Sequence, residues 1–258
     1  MRKILCILLC FTFIFALSAC AASDSPEDSA PDSNSTVSDQ KPTDTPALPN
    51  EYTAILNNII NAYPWNDDDL TMVPENPELS YMYRHNSALS EVGFALMDLD
   101  NNGQEELIIA DLTHSFIYDL YTISDGKAVH LFASGERYCF YLYENGFVEN
   151  QWSGSAAESG HDFYKLNDGE LVLIERITLD AYHALDVGII SDPSEVTNDN
   201  CFFRSSSKDE KDYQWITSEE AIKAIDNYQN ANIPLVIAYT PLSEYQTLKT
   251  MQEGDKYQ

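Results

Sequence analysis

Between residues 102 and 169 one kind of dipeptide recurs: Asn102-Gly103, Asp125-Gly126, Asn145-Gly146 and Asp168-Gly169, with glycines 23, 20 and 23 residues apart. Asn-Gly and Asp-Gly favour two-residue hairpin turns. Both central positions of such a turn need positive φ, which Gly adopts freely and Asn or Asp tolerates. A turn at that spacing leaves room for two strands of about six to eight residues and a looser return at the far end. Candidate returns lie at 113–115, 134–136 and 153–160. The segments between them (FIYDLYTI, AVHLFA, RYCFYLY, HDFYKL and ELVLIERITL) are rich in Tyr, Phe, Val and Ile. Those residues suit a pleated, half-buried surface. The pattern predicts an antiparallel meander of about eight strands, arranged as a bent sheet, a small barrel or a partial propeller. No helices alternate with the strands, which excludes a doubly wound parallel fold.

Two helical patterns frame the meander, so the predicted class is α+β, mainly antiparallel, with a helix at each end. In NEYTAILNNIINAYPW the residues Tyr52, Ile55, Leu56, Ile59, Ile60 and Tyr63 share one helical face. Asn50 is the expected N-cap and Pro64 the stop. Near the other end, Thr217 precedes Glu220 by three residues, the spacing of a capping box. Ile222, Ile225 and Tyr228 form the expected apolar stripe, and Pro234 forbids continuation.

The chain begins with Arg2 and Lys3, then runs without a charge from Ile4 to Leu17 and ends that run in Leu17-Ser18-Ala19-Cys20. A helix of that length is too short to span a bilayer comfortably. Charge, apolar run and small residues before a cysteine resemble the signal peptide and lipobox of bacterial lipoproteins. The resemblance implies a signal peptide over 1–19 and lipidation at Cys20. Two or more acyl chains hold a protein stably on a bilayer, so the expected location is the extracytoplasmic face of the cell membrane. Residues 20–50 then form the lipidated cysteine and a tether of Ser, Asp, Pro and Thr without an aromatic residue. Such a segment buries too little apolar surface to offset its ordering entropy. The remaining 51–258 is expected to form one extracytoplasmic domain.

The chain carries 14 Lys+Arg against 42 Asp+Glu, a formal charge of −28. A nucleic-acid partner is excluded, because phosphate binding requires a basic footprint. An anionic lipid surface repels such a chain too, so the lipid anchor must supply membrane attachment. Of five cysteines, only Cys139 and Cys201 lie in the expected domain; their pairing is left open.

The stretch FALMDLDNNGQEELIIAD, residues 94–111, concentrates the acid into a pattern. Counting from Asp98, oxygen-bearing side chains fall at position 1 (Asp98), 3 (Asp100) and 5 (Asn102), with Gly103 at position 6 and Gln104, usable through its backbone carbonyl, at position 7. This matches the first half of the calcium loop D-x-[DN]-x-[DN]-G. Position 12, where an EF-hand carries its bidentate Glu, is Ile109, and both flanks read as strands. The next acid is Glu106, at position 9. The pattern D-x-D-x-N-G-x-x-E between strands resembles the calcium hairpins of integrin-type FG-GAP repeats, and secreted lipoproteins of Gram-positive-type bacteria with one such loop. The resemblance implies a structural Ca²⁺ held by Asp98, Asp100, Asn102, Gln104 and Glu106. Without the bidentate ligand, the expected affinity is in the weak extracellular range, about 10⁻⁴–10⁻³ M.

Other chemistry is thinner. His85, His114, His130, His161 and His183 are scattered without metal-ligand spacing. WSGSAAESGHD holds Ser, Glu and His together, in what reads as a loose return. Asp67, Asp68 and Asp69 read as a solvated loop, and Tyr138, Tyr141, Tyr143 and Tyr164 as strand formers or a sugar-binding face. The expected function is a non-enzymatic binding or structural module with an extracellular ligand or protein partner. The alternative is a hydrolase of cell-wall or polysaccharide substrate; a two-lobed solute-binding protein fits neither the size nor the strands.

Overall fold

The computed structural model describes residues 48–65, 81–114, 116–197 and 199–247. The signal, Cys20, most of the tether and the Asp67–Asp69 run lie outside these residues.

Helix α1, Asn50–Asn61, buries Tyr52, Ile55, Leu56 and Ile59, as its periodicity predicts. Its N-cap is Pro49 and not Asn50: Pro49 accepts the first backbone bond from Thr53, so Asn50 is already the first helical residue. Eight consecutive antiparallel strands follow: β1 (Val92–Met97), β2 (Glu106–Asp111), β3 (Phe116–Ser124), β4 (Lys127–Ala133), β5 (Tyr138–Leu142), β6 (Phe147–Ser155), β7 (Glu158–Asn167) and β8 (Glu170–Asp180). Asp125-Gly126 and Asp168-Gly169 make two-residue turns with positive φ at both positions, and Asn145-Gly146 shares that conformation between β5 and β6.

The meander does not form one sheet or a barrel. It divides after β4 into a five-stranded sheet, β11-β1-β2-β3-β4, and a six-stranded sheet, β10-β9-β8-β7-β6-β5. The later strands are β9 (Phe202–Ser205), β10 (Gln214–Ile216) and β11 (Thr240–Pro241). At the division Ser134 donates its backbone N–H to the Tyr118 carbonyl of β3, Gly135 pairs with Tyr138, and the chain starts the second sheet. The Phe132 and Phe140 rings stack across the junction at 3.8 Å.

Strand alternation sets the layers. On β2 and β3, Leu107, Ile109 and Tyr121 pack with α1, while Ile108 and Leu120 pack with Leu142, Val148, Tyr164 and Leu166 of the second sheet. β2 is therefore buried at every position, which is why residues 107–110 read as an unbroken apolar run between Glu106 and Asp111. On the outer face of the second sheet, Phe147, Phe163 and Ile177 pack under helix α3, Ser218–Ala231. Its capping box between Thr217 and Glu220 is formed. Its stripe is rotated from expectation: Ala221, Ala224, Ile225 and Tyr228 face the sheet, and Ile222 is 57 % exposed.

Helix α3 does not end the fold. The chain continues as an extended strap: Tyr143 pairs with Pro234 on the edge of the second sheet, and Thr240 and Pro241 pair with β1 on the edge of the first. Leu235, Ile237 and Tyr239 fill the seam between the sheets, and residues 242–247 are helical. A short helix α2, Ala181–Asp186, caps β8 with Asp180 as its N-cap. Cys139 and Cys201 are both free thiols. Cys139 lies in β5 and Cys201 just before β9, with three strands between, or about 19 Å at normal strand spacing. A disulfide needs Cα atoms within about 7 Å.

Candidate metal centre

Asp98 follows the last residue of β1, and Glu106 opens β2 opposite Met97. The loop between them curls around its own carboxylates. Asp98 accepts the backbone N–H groups of Asn102 (3.1 Å) and Gly103 (2.9 Å), and Asp100 accepts the Asn102 N–H (3.2 Å). Positive φ falls on Asn101 (62°) and Gly103 (90°), and not on Asn102. Asn102-Gly103 is thus not the two-residue hairpin turn its sequence suggests.

The loop gathers three of the five expected ligands: carboxylate oxygens of Asp98, Asp100 and Glu106 lie within 4.8 Å of one another. The Asn102 amide oxygen instead accepts the Gln104 N–H at 2.7 Å, and its Nδ2 donates to Asp100. The Gln104 side chain donates to the Glu105 carbonyl. Glu106 is fully buried. Its Oε2 accepts the Leu99 N–H at 2.9 Å and its Oε1 the Thr122 hydroxyl at 3.1 Å. Burial pushes the Glu106 carboxyl up to about 7, with Asp100 and Asp98 adding to the rise and the Leu99 and Thr122 donors opposing it.

Among the described residues no Lys, Arg or His pairs with these three acids. Three carboxylates held this close repel one another. A cation removes that repulsion, and the cluster can hold a metal ion. Its donors are all oxygen, which suits a hard cation over zinc or copper.

The second sheet backs this loop. A methyl group placed on Gly146 would lie 3.0 Å from the Leu99 carbonyl oxygen and 3.3 Å from Asp100 Cβ. One placed on Gly169 would lie 3.2 Å from the Thr122 hydroxyl, which itself donates to Glu106. Two hairpin turns thus close over the loop and its neighbour.

Elsewhere the structure pairs residues that looked isolated. Four of the five histidines meet carboxylates: His114 with Asp111, His130 with Asp119, His161 with Glu149, and His183, at 3.7 Å, with Glu210. Fully buried Asp119 also accepts the Tyr83 hydroxyl at 2.7 Å. Asp162 is held by Arg176, Trp152 and Tyr164. The Ser-Glu-His stretch is no loose return: it forms the β6–β7 hairpin, and His161 bonds Glu149 rather than a serine or Glu158. The four tyrosines do not share a face. Tyr138 and Tyr164 alternate to the inner side of the second sheet, and Tyr141 and Tyr143 to its outer side.

Comparisons with protein-family models, curated proteins and solved structures gave no match. No helix among the described residues is long and apolar enough to cross a membrane.

Proposed function

We propose that the chain is a lipid-anchored extracytoplasmic lipoprotein whose folded domain is a non-enzymatic binding or structural module stabilised by calcium. The observation that carries the ion is the convergence of Asp98, Asp100 and Glu106 at one point with no countercharge among the described residues. Calcium is favoured over magnesium. Ca²⁺ tolerates irregular sets of six to eight oxygens, whereas Mg²⁺ demands a near-ideal octahedron and gives up its waters reluctantly. Asn102 and the Gln104 carbonyl complete the shell in this reading, with water. The ion neutralises the buried Glu106 and fixes the β1–β2 loop against the second sheet.

The anchor rests on the Leu-Ser-Ala-Cys pattern and the charge-bearing leader alone. The Cys20→Ser variant, expressed in a lipoprotein-processing bacterium, is expected to leave the membrane fraction and to lose its acyl mass. Retention of that variant on the membrane contradicts the anchor. Calcium is tested by calorimetric titration of residues 47–258 beside Asp98→Ala. Heat uptake by the wild type alone supports the site, and equal heat in both removes it.

A further inference from the structure

The outer face of the second sheet carries a polar centre that the metal loop does not use. Glu149 on β6 is fully buried beneath it. Its carboxylate collects donors from four places along the chain. Tyr143, just after β5, donates at 2.6 Å, Gln151 of β6 at 3.0 Å, His161 of β7 through Nδ1 at 2.7 Å, and Gln229 of α3 at 2.9 Å.

This arrangement fixes what the surrounding side chains show to a visitor. Only an N–H end can face a carboxylate, so both glutamines turn their amide oxygens away from Glu149. His161 faces Glu149 with Nδ1, which turns Nε2 away from the carboxylate. No hydrogen bond from the described residues reaches the Gln151 or Gln229 oxygens or His161 Nε2. The centre therefore turns two amide oxygens outward over a buried carboxylate. No Lys or Arg among the described residues pairs with that charge. Beside it on the same face stands Tyr141, the cross-strand partner of Glu149, 42 % exposed. α3 packs with Tyr143, Phe147 and Phe163, while the His161 side chain stays 27 % exposed.

Acceptors over an anion, next to an open aromatic ring, complement an organic cation that carries N–H donors. Such a cation donates to the two amide oxygens while its π or alkyl surface lies on the ring. Anionic ligands meet the outward amide oxygens and the buried Glu149 carboxylate here. We propose that Gln151, His161, Gln229 and Tyr141 form a binding site for a guanidinium or primary ammonium group. The site lies on the second sheet and stands or falls independently of calcium.

The test is NMR titration of the folded domain with four probes: L-arginine, a blocked Ala-Arg-Ala peptide, tetramethylammonium and cellobiose. The expected result is saturable shifts of the His161 ring and the Gln151 and Gln229 side-chain amides with the two arginine probes. Tetramethylammonium, a cation without N–H donors, is expected to bind about tenfold more weakly, and Tyr141→Ala to weaken arginine about fivefold. Tyr141 is an exposed edge residue, so this variant folds; His161→Phe, which keeps the ring stacked near Phe163, is the second. A peptide that binds tighter than free arginine identifies a polypeptide as the source, and equal binding identifies a free ligand. The proposal is overturned if no probe saturates, if tetramethylammonium or cellobiose matches arginine, or if both variants bind arginine like the wild type.

Discussion

Gly146 lies against Asp100: a methyl group on the glycine would meet Asp100 Cβ at 3.3 Å and the Leu99 carbonyl oxygen at 3.0 Å. The β1–β2 loop belongs to the first sheet and Gly146 to a turn of the second, so the shape of the carboxylate cluster depends on how the sheets meet. Gly146→Ala adds that contact to the cost of a side chain at φ +69°. It is expected to destabilise the domain by about 2 kcal/mol or more and to weaken calcium binding. Gly103→Ala, at φ +90° with nothing within 4 Å of the new methyl, is expected to cost only the conformational part, about 1 kcal/mol. Urea unfolding of both variants checks the order. If Gly103→Ala proves the costlier in EDTA, the inter-sheet contact is not what shapes the loop.

Glu106→Gln separates the charge of the buried acid from its shape. Glutamine can still accept the Leu99 N–H with its amide oxygen while its NH₂ donates to the Thr122 hydroxyl oxygen, which reverses that bond, but it removes a buried charge beside Asp98 and Asp100. In EDTA the variant is expected to be more stable than the wild type, by about 1–3 kcal/mol, because the desolvation cost and repulsion disappear. In calcium the order reverses or closes. A variant less stable than wild type in EDTA would mean that Glu106 is a structural anchor and needs no ion.

Acid sensitivity is expected from Glu149. Burial alone raises a carboxyl, yet donors from His161, Tyr143, Gln151 and Gln229 hold Glu149 below the ordinary 4.5. With the folded value depressed, its contribution is fully present above 4.5 and is lost as pH falls through the folded value. Glu149→Gln is expected to lower stability at neutral pH by about 2 kcal/mol and to flatten the loss below pH 4.5. An unchanged acid limb in the variant would place the acid sensitivity elsewhere.

The two domain cysteines are expected to remain unpaired even under oxidising conditions, since β6, β7 and β8 stand between them. Thiol titration of the denatured, unreduced domain should give two thiols per chain. A titre near zero would require a different strand order.

The strands and three of the four turns were legible because positive φ is a local demand that few residues meet. Asn102-Gly103 misled because Asp98 and Asp100 capture the N–H groups of Asn102 and Gly103, which moves the second positive φ to Asn101. The spacing of Asp98, Asp100 and Glu106 marked the carboxylates, since all lie within one loop. Gly146 and Gly169 are marked in sequence only as turn glycines and Thr122 not at all; they meet the loop and its neighbour only after two sheets have packed. The division at Ser134 was equally silent, because it depends on which faces bury which side chains, with Phe132 stacked on Phe140. His161 and Glu149 are twelve residues apart. They meet because the β6–β7 register pairs Gln151 with His161 and leaves Glu149 two residues along the same face.

The central claim is that the Asp98–Asp100–Glu106 cluster is a calcium site that stabilises the fold. Thermal unfolding of residues 47–258 in EDTA and in about 10 mM calcium, beside the same amount of magnesium, tests it most directly. For a dissociation constant of about 10⁻⁴–10⁻³ M, linkage predicts a gain of about 1.4–2.7 kcal/mol. That is a rise in Tm of about 3–10 °C for a domain of this size, smaller with magnesium and absent in Asp98→Ala. A wild-type Tm that does not move with calcium, or that moves equally in Asp98→Ala, contradicts the account.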